Sequence, residues 1–315
     1  MKTALKIIIG LILLVLLILG SGALYINASG IPSYEVEKVE YSVNPTPEKI
    51  EHGEKLASML CNNCHANAET GILTGREMKD VTHFGKIYSQ NITQDKEYGI
   101  GNWTDGQIYY LLRTGILPDG RYAPPYMAKL PHMADSDIEA IIAYLRSDAK
   151  EVQASAVPDE ECEPSFLTKF LCKVAFKPLP LPEKPIEMPD TSKTVVMGKY
   201  LATNLDCWTC HSANFETMNI MEPEKSEGFY GGGNPMKDLN GNEVISSNIT
   251  MHETGIGSWT KEEFVKTLKT GLREGKDAVS YPMVPYPQLT DREAEAIWEY
   301  LQTVPKINND IETKS

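Results

Sequence analysis

Positive charge is in short supply in this chain. It sets 30 Lys and Arg against 43 Asp and Glu, for a net charge of −13 over 315 residues. Binding nucleic acid requires a basic face that displaces counterions from phosphate, so the charge argues against that class and no nucleic-acid partner is expected. An acidic surface is chiefly a solvated one, though it also steers basic partners. The sequence has no glycine-rich phosphate loop, no nucleophile set out with a base, and no separate substrate domain. Strand signals are lacking beyond short extended pieces. Cysteine is sparse, with six in all, and none lies near the N-terminus, which argues against a lipoprotein anchor.

What is present begins with Lys2 and Lys6, followed by an apolar run from Ile7 to about Ile26 that carries no charge. About twenty residues rising ~1.5 Å each span a bilayer as a helix, whereas a cleaved signal has a shorter apolar core. "GSGA" at 20–23 also satisfies a small-residue cleavage site, so both fates stay open, with the retained anchor preferred. In either case the lysines stay in the cytoplasm and the remainder is exported. Beyond residue 30 the chain is long enough for two domains with real cores.

Two stretches share the pattern Cys-x-x-Cys-His: Cys61, Cys64 and His65 in "CNNCH", and Cys207, Cys210 and His211 in "CWTCH". They belong to a longer internal repeat. "SQNIT" (89–93) returns as "SSNIT" (246–250), "GIGNWT" (99–104) as "GIGSWT" (255–260), and "EAIIAYL" (139–145) as "EAIWEYL" (295–301). From Trp103 and Trp259 onward the offset is a constant 156. Three chemistries use paired cysteines of this kind. Zinc wants four ligands, commonly from a second cysteine pair close by, and neither copy has one. A thioredoxin-like centre follows a strand in an α/β pattern, and these surroundings are helical. Cys-x-x-Cys-His is the attachment signature of c-type haem, which bacteria attach outside the cytoplasm, in keeping with export.

The pattern resembles class I cytochromes c. The "NIT", "GIGxWT" and proline–methionine stretches are similar, more narrowly, to the cytochrome c subunits of membrane-bound bacterial dehydrogenases. The fold expected is all-α, with two tandem class I cytochrome c-like domains after an N-terminal transmembrane helix. The expected boundaries are a signal-anchor at 1–28, a linker at 29–47, a first domain at 48–148 and a Pro-rich interdomain segment at 149–192. A second domain at 193–305 and a tail at 306–315 complete the chain. The resemblance implies two covalently bound haem c groups. It also implies that the first and last helices of each domain cross closely, with Gly53 against Tyr144 and Gly198 against Tyr300.

The iron's second axial ligand is sought among twelve methionines. Met127 in "APPYMAKLPHM" and Met283 in "SYPMVPYPQL" stand at the same offset of 156, each on a proline-held loop. His132 aligns with Gln288 and Met133 with Leu289, so neither is kept, and His132 is the rival ligand for the first site. The iron ligands expected are therefore His65, Met127, His211 and Met283. Asn91, Asn248, Trp103 and Trp259 recur as loop packing or as donors to haem propionates. Arg113 and Lys269 either neutralise those propionates or line a solvated helix face. Cys162 and Cys172, left over in an oxidising compartment, are expected to pair, and "FLTKFLCKVAF" to form a short helix at the domain boundary.

The function expected is electron transfer by a dihaem cytochrome on the periplasmic face of the bacterial inner membrane. It would link a dehydrogenase or quinol-oxidising complex to a terminal oxidase or soluble cytochrome. A dihaem peroxidase or thiosulfate dehydrogenase is the alternative and would need an iron with an open position.

Overall fold

The computed structural model describes residues 2–273, 275 and 277–311; Met1 and residues 312–315 of the expected tail lie outside the described residues. Helix α1 (Lys2–Ser29) is long and apolar enough to cross a membrane, and its apolar window is not buried in the protein.

Helix α2 (Pro47–Leu60) opens where Thr46 Oγ1 accepts the Lys49 N–H at 3.3 Å. Pro47 sits where a missing N–H costs nothing, and Glu48 faces the positive end of the helix dipole. A single turn, α3 (Asn62–His65), follows directly. Helix α4 (Asp105–Thr114) begins in a reciprocal Thr104–Gln107 capping box and stops at Gly115, which is left-handed with φ +83°. Helix α5 (Asp135–Leu145) buries Ile138, Ile141, Ile142 and Leu145 and packs across α2. After α6 (Phe166–Val174) the scheme returns as α7 (Thr194–Asn204), the turn α8 (Cys207–Cys210), α9 (Lys261–Thr270) and α10 (Asp291–Leu301). Helices α9 and α10 start in the capping boxes Thr260–Glu263 and Thr290–Glu293.

Extended structure among the described residues is slight. Strand β1 (Gly85–Lys86) pairs antiparallel with β2 (Glu163–Pro164), and β3 (Pro235–Lys237) with β4 (Glu243–Ile245). The chain is mostly helical.

The α2–α5 and α7–α10 crossings are backbone to backbone. A Cβ added to Gly53 would fall 1.8 Å from the Ala140 carbonyl oxygen and 3.0 Å from Tyr144 Cβ. At Gly198 the corresponding distances are 1.8 Å to the Ala296 oxygen and 2.9 Å to Tyr300 Cβ. The tyrosines are where the resemblance put them, but the tighter limit is the carbonyl one turn earlier.

Residues 30–46 run extended over the first half. The Tyr34 N–H donates to the Gly120 carbonyl at 2.8 Å, Tyr41 stacks on Tyr109 at 4.4 Å, and the Val43 N–H reaches Asp105 at 3.0 Å. The two halves meet through polar contacts. Lys55 Nζ lies 2.6 Å from both Glu293 oxygens, and the Tyr200 hydroxyl donates to Asp137 at 2.5 Å. Asp137, almost fully buried, also holds His52 Nε2 at 2.8 Å.

The expected Cys162–Cys172 bridge is not formed, and both are free thiols. Cys162 sits 3.3 Å from the backbone N and O of Tyr88, just ahead of β2. Cys172 points inward from α6 and is fully buried. Cys162 is held beside the Tyr88 backbone and Cys172 within the packing of α6, and both lie near Tyr126.

Two tests follow from these contacts. Gly53→Ala and Gly198→Ala should each cost about 2–3 kcal/mol, since neither carbonyl can yield without parting the helices. Denaturant unfolding of the full chain in detergent measures this, and a loss below about 0.5 kcal/mol would show that the crossing is not tight. The second concerns pH. The bond to Asp137 lifts His52 above its ordinary value, outweighing burial, which acts the other way. The pair's contribution is therefore complete below about pH 6.5 and is lost as pH rises through the raised His52 value. Tm should fall over that window, and His52→Gln should flatten the fall.

Candidate functional site

Both Cys-x-x-Cys-His turns sit directly beyond the crossing helices, so the glycine contacts set where they stand. The turns close alike: the His65 N–H donates to the Cys61 carbonyl at 2.8 Å, and the His211 N–H to that of Cys207 at 3.0 Å. This brings both sulfurs of each motif to one side of a single helical turn.

The imidazoles are oriented in the same way. His65 Nδ1 donates to the Gln90 carbonyl at 2.7 Å and His211 Nδ1 to the Ser247 carbonyl at 2.8 Å. Gln90 and Ser247 each immediately precede the asparagine of a repeated "NIT". A carbonyl only accepts, so the proton is on Nδ1 and the Nε2 lone pair is free to bind a metal. Burial pushes both imidazoles below their ordinary value and keeps them neutral.

Burial also raises the thiols, to about 12 at Cys61, Cys207 and Cys210 and about 11 at Cys64. A redox dithiol needs the opposite shift. Among the described residues no group of three or more His, Cys, Asp or Glu is placed to hold a metal ion by itself.

A second layer holds the motif turns, and the sequence reading missed it. The Gly75 N–H donates to the His65 carbonyl and the Gly232 N–H to the His211 carbonyl, both at 2.8 Å. Both glycines have positive φ, +85° and +67°, and a Cβ would fall 2.1 Å from the Ser89 oxygen or 2.4 Å from the Ser247 carbonyl carbon. Just beyond them, the Arg76 guanidinium donates to the Asn63 carbonyl, and Asn234 Nδ2 to the Thr209 carbonyl at 3.2 Å. Asn63 and Thr209 are the third residues of the two motifs. The signal was a glycine followed closely by a polar residue in "TGREM" and "GGNPM", hidden because the offset between the halves changes from 146 at the histidines to 157 at these glycines and 158 at the polar residues.

The methionine loops are framed by one repeated set of backbone bonds. Leu130 N–H donates to Leu112 O at 2.7 Å and Tyr286 N–H to Leu268 O at 2.8 Å. Ala123 to Gly115 and Val279 to Gly271 are both 2.8 Å, and Met127 to Pro124 and Met283 to Ser280 both 3.0 Å. Both methionines are half-buried. The His132 ring is used elsewhere: Nε2 donates to the Ile220 carbonyl at 2.7 Å and so ties the loop to the other half.

Arg113 does not line a solvated helix face, and its buried Nε–H has no protein partner. It is fully buried, donates to the carbonyls of Leu130 (2.6 Å) and Met133 (2.8 Å), and pairs with Asp135. It thus pins the end of the Met127 loop to the start of α5. Lys269 makes the equivalent pair with Asp291, but that carboxylate is 74% exposed. Asn91 and Asn248 have no spare donor for propionates. Asn91 Nδ2 donates to Ser155 and Val157 carbonyls, both at 2.9 Å, and Asn248 Nδ2 to Ile307 O at 2.8 Å and Thr254 Oγ1 at 3.1 Å. They fasten the chain that follows the closing helices. Trp103 and Trp259 are half-buried against the core.

The cytochrome c family profile matches residues 50–148 and 195–305, and the chain belongs to that family. Electron transfer through covalently bound haem c is the family's chemistry. The chain is 31% identical over 281 residues to the fructose dehydrogenase cytochrome subunit of Gluconobacter japonicus, covering 83% of this chain and 54% of that one. It is 33% identical over 271 residues to the gluconate 2-dehydrogenase cytochrome c subunit of Pantoea cypripedii, covering 81% and 59%. A diheme cytochrome c-type protein of Cereibacter sphaeroides is 27% identical over 261 residues, covering 78% and 82%. The chain spans little more than half the length of the first two relatives. The residues present suit haem c: paired neutral thiols, imidazoles with Nε2 free, and buried polar atoms beside the motifs (Asn62 Oδ1, Arg76 Nε and Asn234 Oδ1) that lack a protein partner.

Arg113→Met should cost about 3 kcal/mol, because it leaves two loop carbonyls without their buried donor and takes the cation from a largely buried carboxylate. Lys269→Met, at an open pair, should cost less than about 1 kcal/mol. Denaturant midpoints of the two variants decide the matter, and equal losses would remove the asymmetry described here.

Proposed function

We propose that the chain is a membrane-anchored dihaem cytochrome c that faces the periplasm. It carries electrons from a dehydrogenase or quinol-oxidising complex to a terminal oxidase or soluble carrier. Two tandem class I domains, at 48–148 and 193–305, each hold one haem, and α1 is retained as the anchor with Lys2 and Lys6 in the cytoplasm. Cys61 and Cys64 would hold the first haem through thioethers, and His65 and Met127 would bind its iron. Cys207, Cys210, His211 and Met283 would do the same for the second. Bound in this way, haem c supplies one-electron chemistry, and His–Met ligation raises its potential.

The observation that carries this reading is the identical framing of both histidines and both methionines in the two halves. An enzyme of the peroxidase kind needs an iron with an open position, and both halves keep the methionine at the same turn. His132, the rival ligand, is committed to Ile220. The dehydrogenase subunits among the relatives support a dehydrogenase as donor.

In the chain the histidines present a fixed Nε2 because their Nδ1 protons are held by Gln90 and Ser247. The loops present Met127 and Met283 because the backbone bonds of Leu130 and Tyr286 close them onto α4 and α9. Haem-stained denaturing gels and iron analysis should find two haems per chain, and one after Cys207→Ala with Cys210→Ala. Met127→Ala and Met283→Ala should each remove about half of the weak near-red thioether–iron band. Rapid peroxide turnover by native protein with a five-coordinate haem would replace this reading with the enzymatic one.

A further inference from the structure

We propose that α6 is a second membrane contact, lying in the plane of an anionic lipid surface beside the point where α1 leaves the bilayer. This rests on the reading of α1 as a retained anchor. Helix α6 carries Phe166, Leu167, Phe170 and Val174, exposed by 48%, 56%, 39% and 58%. At 3.6 residues per turn these positions fall within an arc of about 100°, which makes one continuous apolar face. The opposite side is fixed to the protein. Cys172 and Thr168 are buried, Thr168 Oγ1 donates to the Phe84 carbonyl at 2.8 Å, and Ser165 caps the helix by accepting the Thr168 N–H at 3.2 Å. The apolar face therefore cannot turn inward without breaking these bonds.

Its neighbour identifies what covers that face. Lys169 Nζ lies 2.9 Å from Asn27 Oδ1, and the Lys173 ammonium sits 5.5 Å from the centre of the Tyr25 ring. Tyr25 and Asn27 flank the end of the apolar run of α1. A tyrosine at that level belongs to the boundary between hydrocarbon and headgroups, so α6 stands at the same depth. Charge points the same way. The chain as a whole is strongly acidic, at −13, yet residues 164–182 contain no Asp or Glu and hold Lys169, Lys173 and Lys177. An amphipathic helix with phenylalanines on one face and lysines along its edge is the form that settles into an interface, with the lysine stems reaching anionic headgroups. A protein partner is the competing occupant, but the apolar face adjoins the end of the membrane-length helix α1, which favours lipid.

The test uses the full-length, haem-loaded protein in vesicles of phosphatidylcholine and phosphatidylglycerol carrying a diazirine on one acyl chain. After illumination, adducts are mapped by peptide mass spectrometry. Adducts are expected on α1 and on the peptide holding Phe166–Val174, with the latter weakened when phosphatidylglycerol is replaced by phosphatidylcholine. Phe166→Ser with Phe170→Ser should lose the α6 adducts and keep those on α1. Adducts confined to α1 in native protein would overturn the proposal while leaving the anchor intact, as would protection of the α6 face by a co-isolated protein. Absence of adducts on α1 would instead overturn the anchor reading itself.

Discussion

The approach of α2 to the Ala140 carbonyl, and of α7 to the Ala296 carbonyl, governs the placement of everything that follows. Glycine is the only residue that admits it, because any Cβ would occupy the carbonyl oxygen. The cysteine turn begins within one residue of the end of α2, so the crossing angle is handed to the sulfurs without an intervening loop. The closing helix receives the other end of the scaffold. Its first residue, Asp135 or Asp291, binds the cation that α4 or α9 projects, and the methionine loop lies between. One crossing thus fixes the histidine side, and one ion pair the methionine side.

The two halves keep their backbone bonds more faithfully than their side chains. Carbonyl and N–H partners around the motif turns and methionine loops recur at matching positions, while the side chains that reinforce them have drifted. Arg113 faces Asp135 where Lys269 faces Asp291, and Arg76 reaches the Asn63 carbonyl where Asn234 reaches that of Thr209. A backbone bond does not depend on side-chain identity, so duplication preserves it through substitutions that alter charge and burial. The first half consequently holds a buried cation where the second has an open pair.

Much of this was legible in the sequence. A repeat shows which residues are retained, and that located the cysteines, histidines, methionines, crossing glycines and closing helices. It does not show what each residue touches. Arg113 read as a surface or propionate cation because its partners, two loop carbonyls and Asp135, are distant in sequence and carry no pattern. Asn91 and Asn248 recur because both fasten the chain beyond the closing helix, a role that only the folded path reveals. Cys162 and Cys172 invited pairing on grounds of compartment and number, yet both stay free, one beside the Tyr88 backbone and the other inside the packing of α6. Residues 30–46 read as a linker since they are polar, and polarity does not distinguish a free segment from one laid along a surface.

That segment alters how the molecule presents itself. With Tyr34 bonded to Gly120, Tyr41 stacked on Tyr109 and Val43 held by Asp105, no slack separates α1 from the first half. A leash would let the haem-bearing surface sample every heading, with encounters governed by tether length. A splint gives it one heading relative to the axis of α1. Which flank of the molecule a diffusing protein meets is then decided by the folded chain, before any attraction between the two surfaces comes into play.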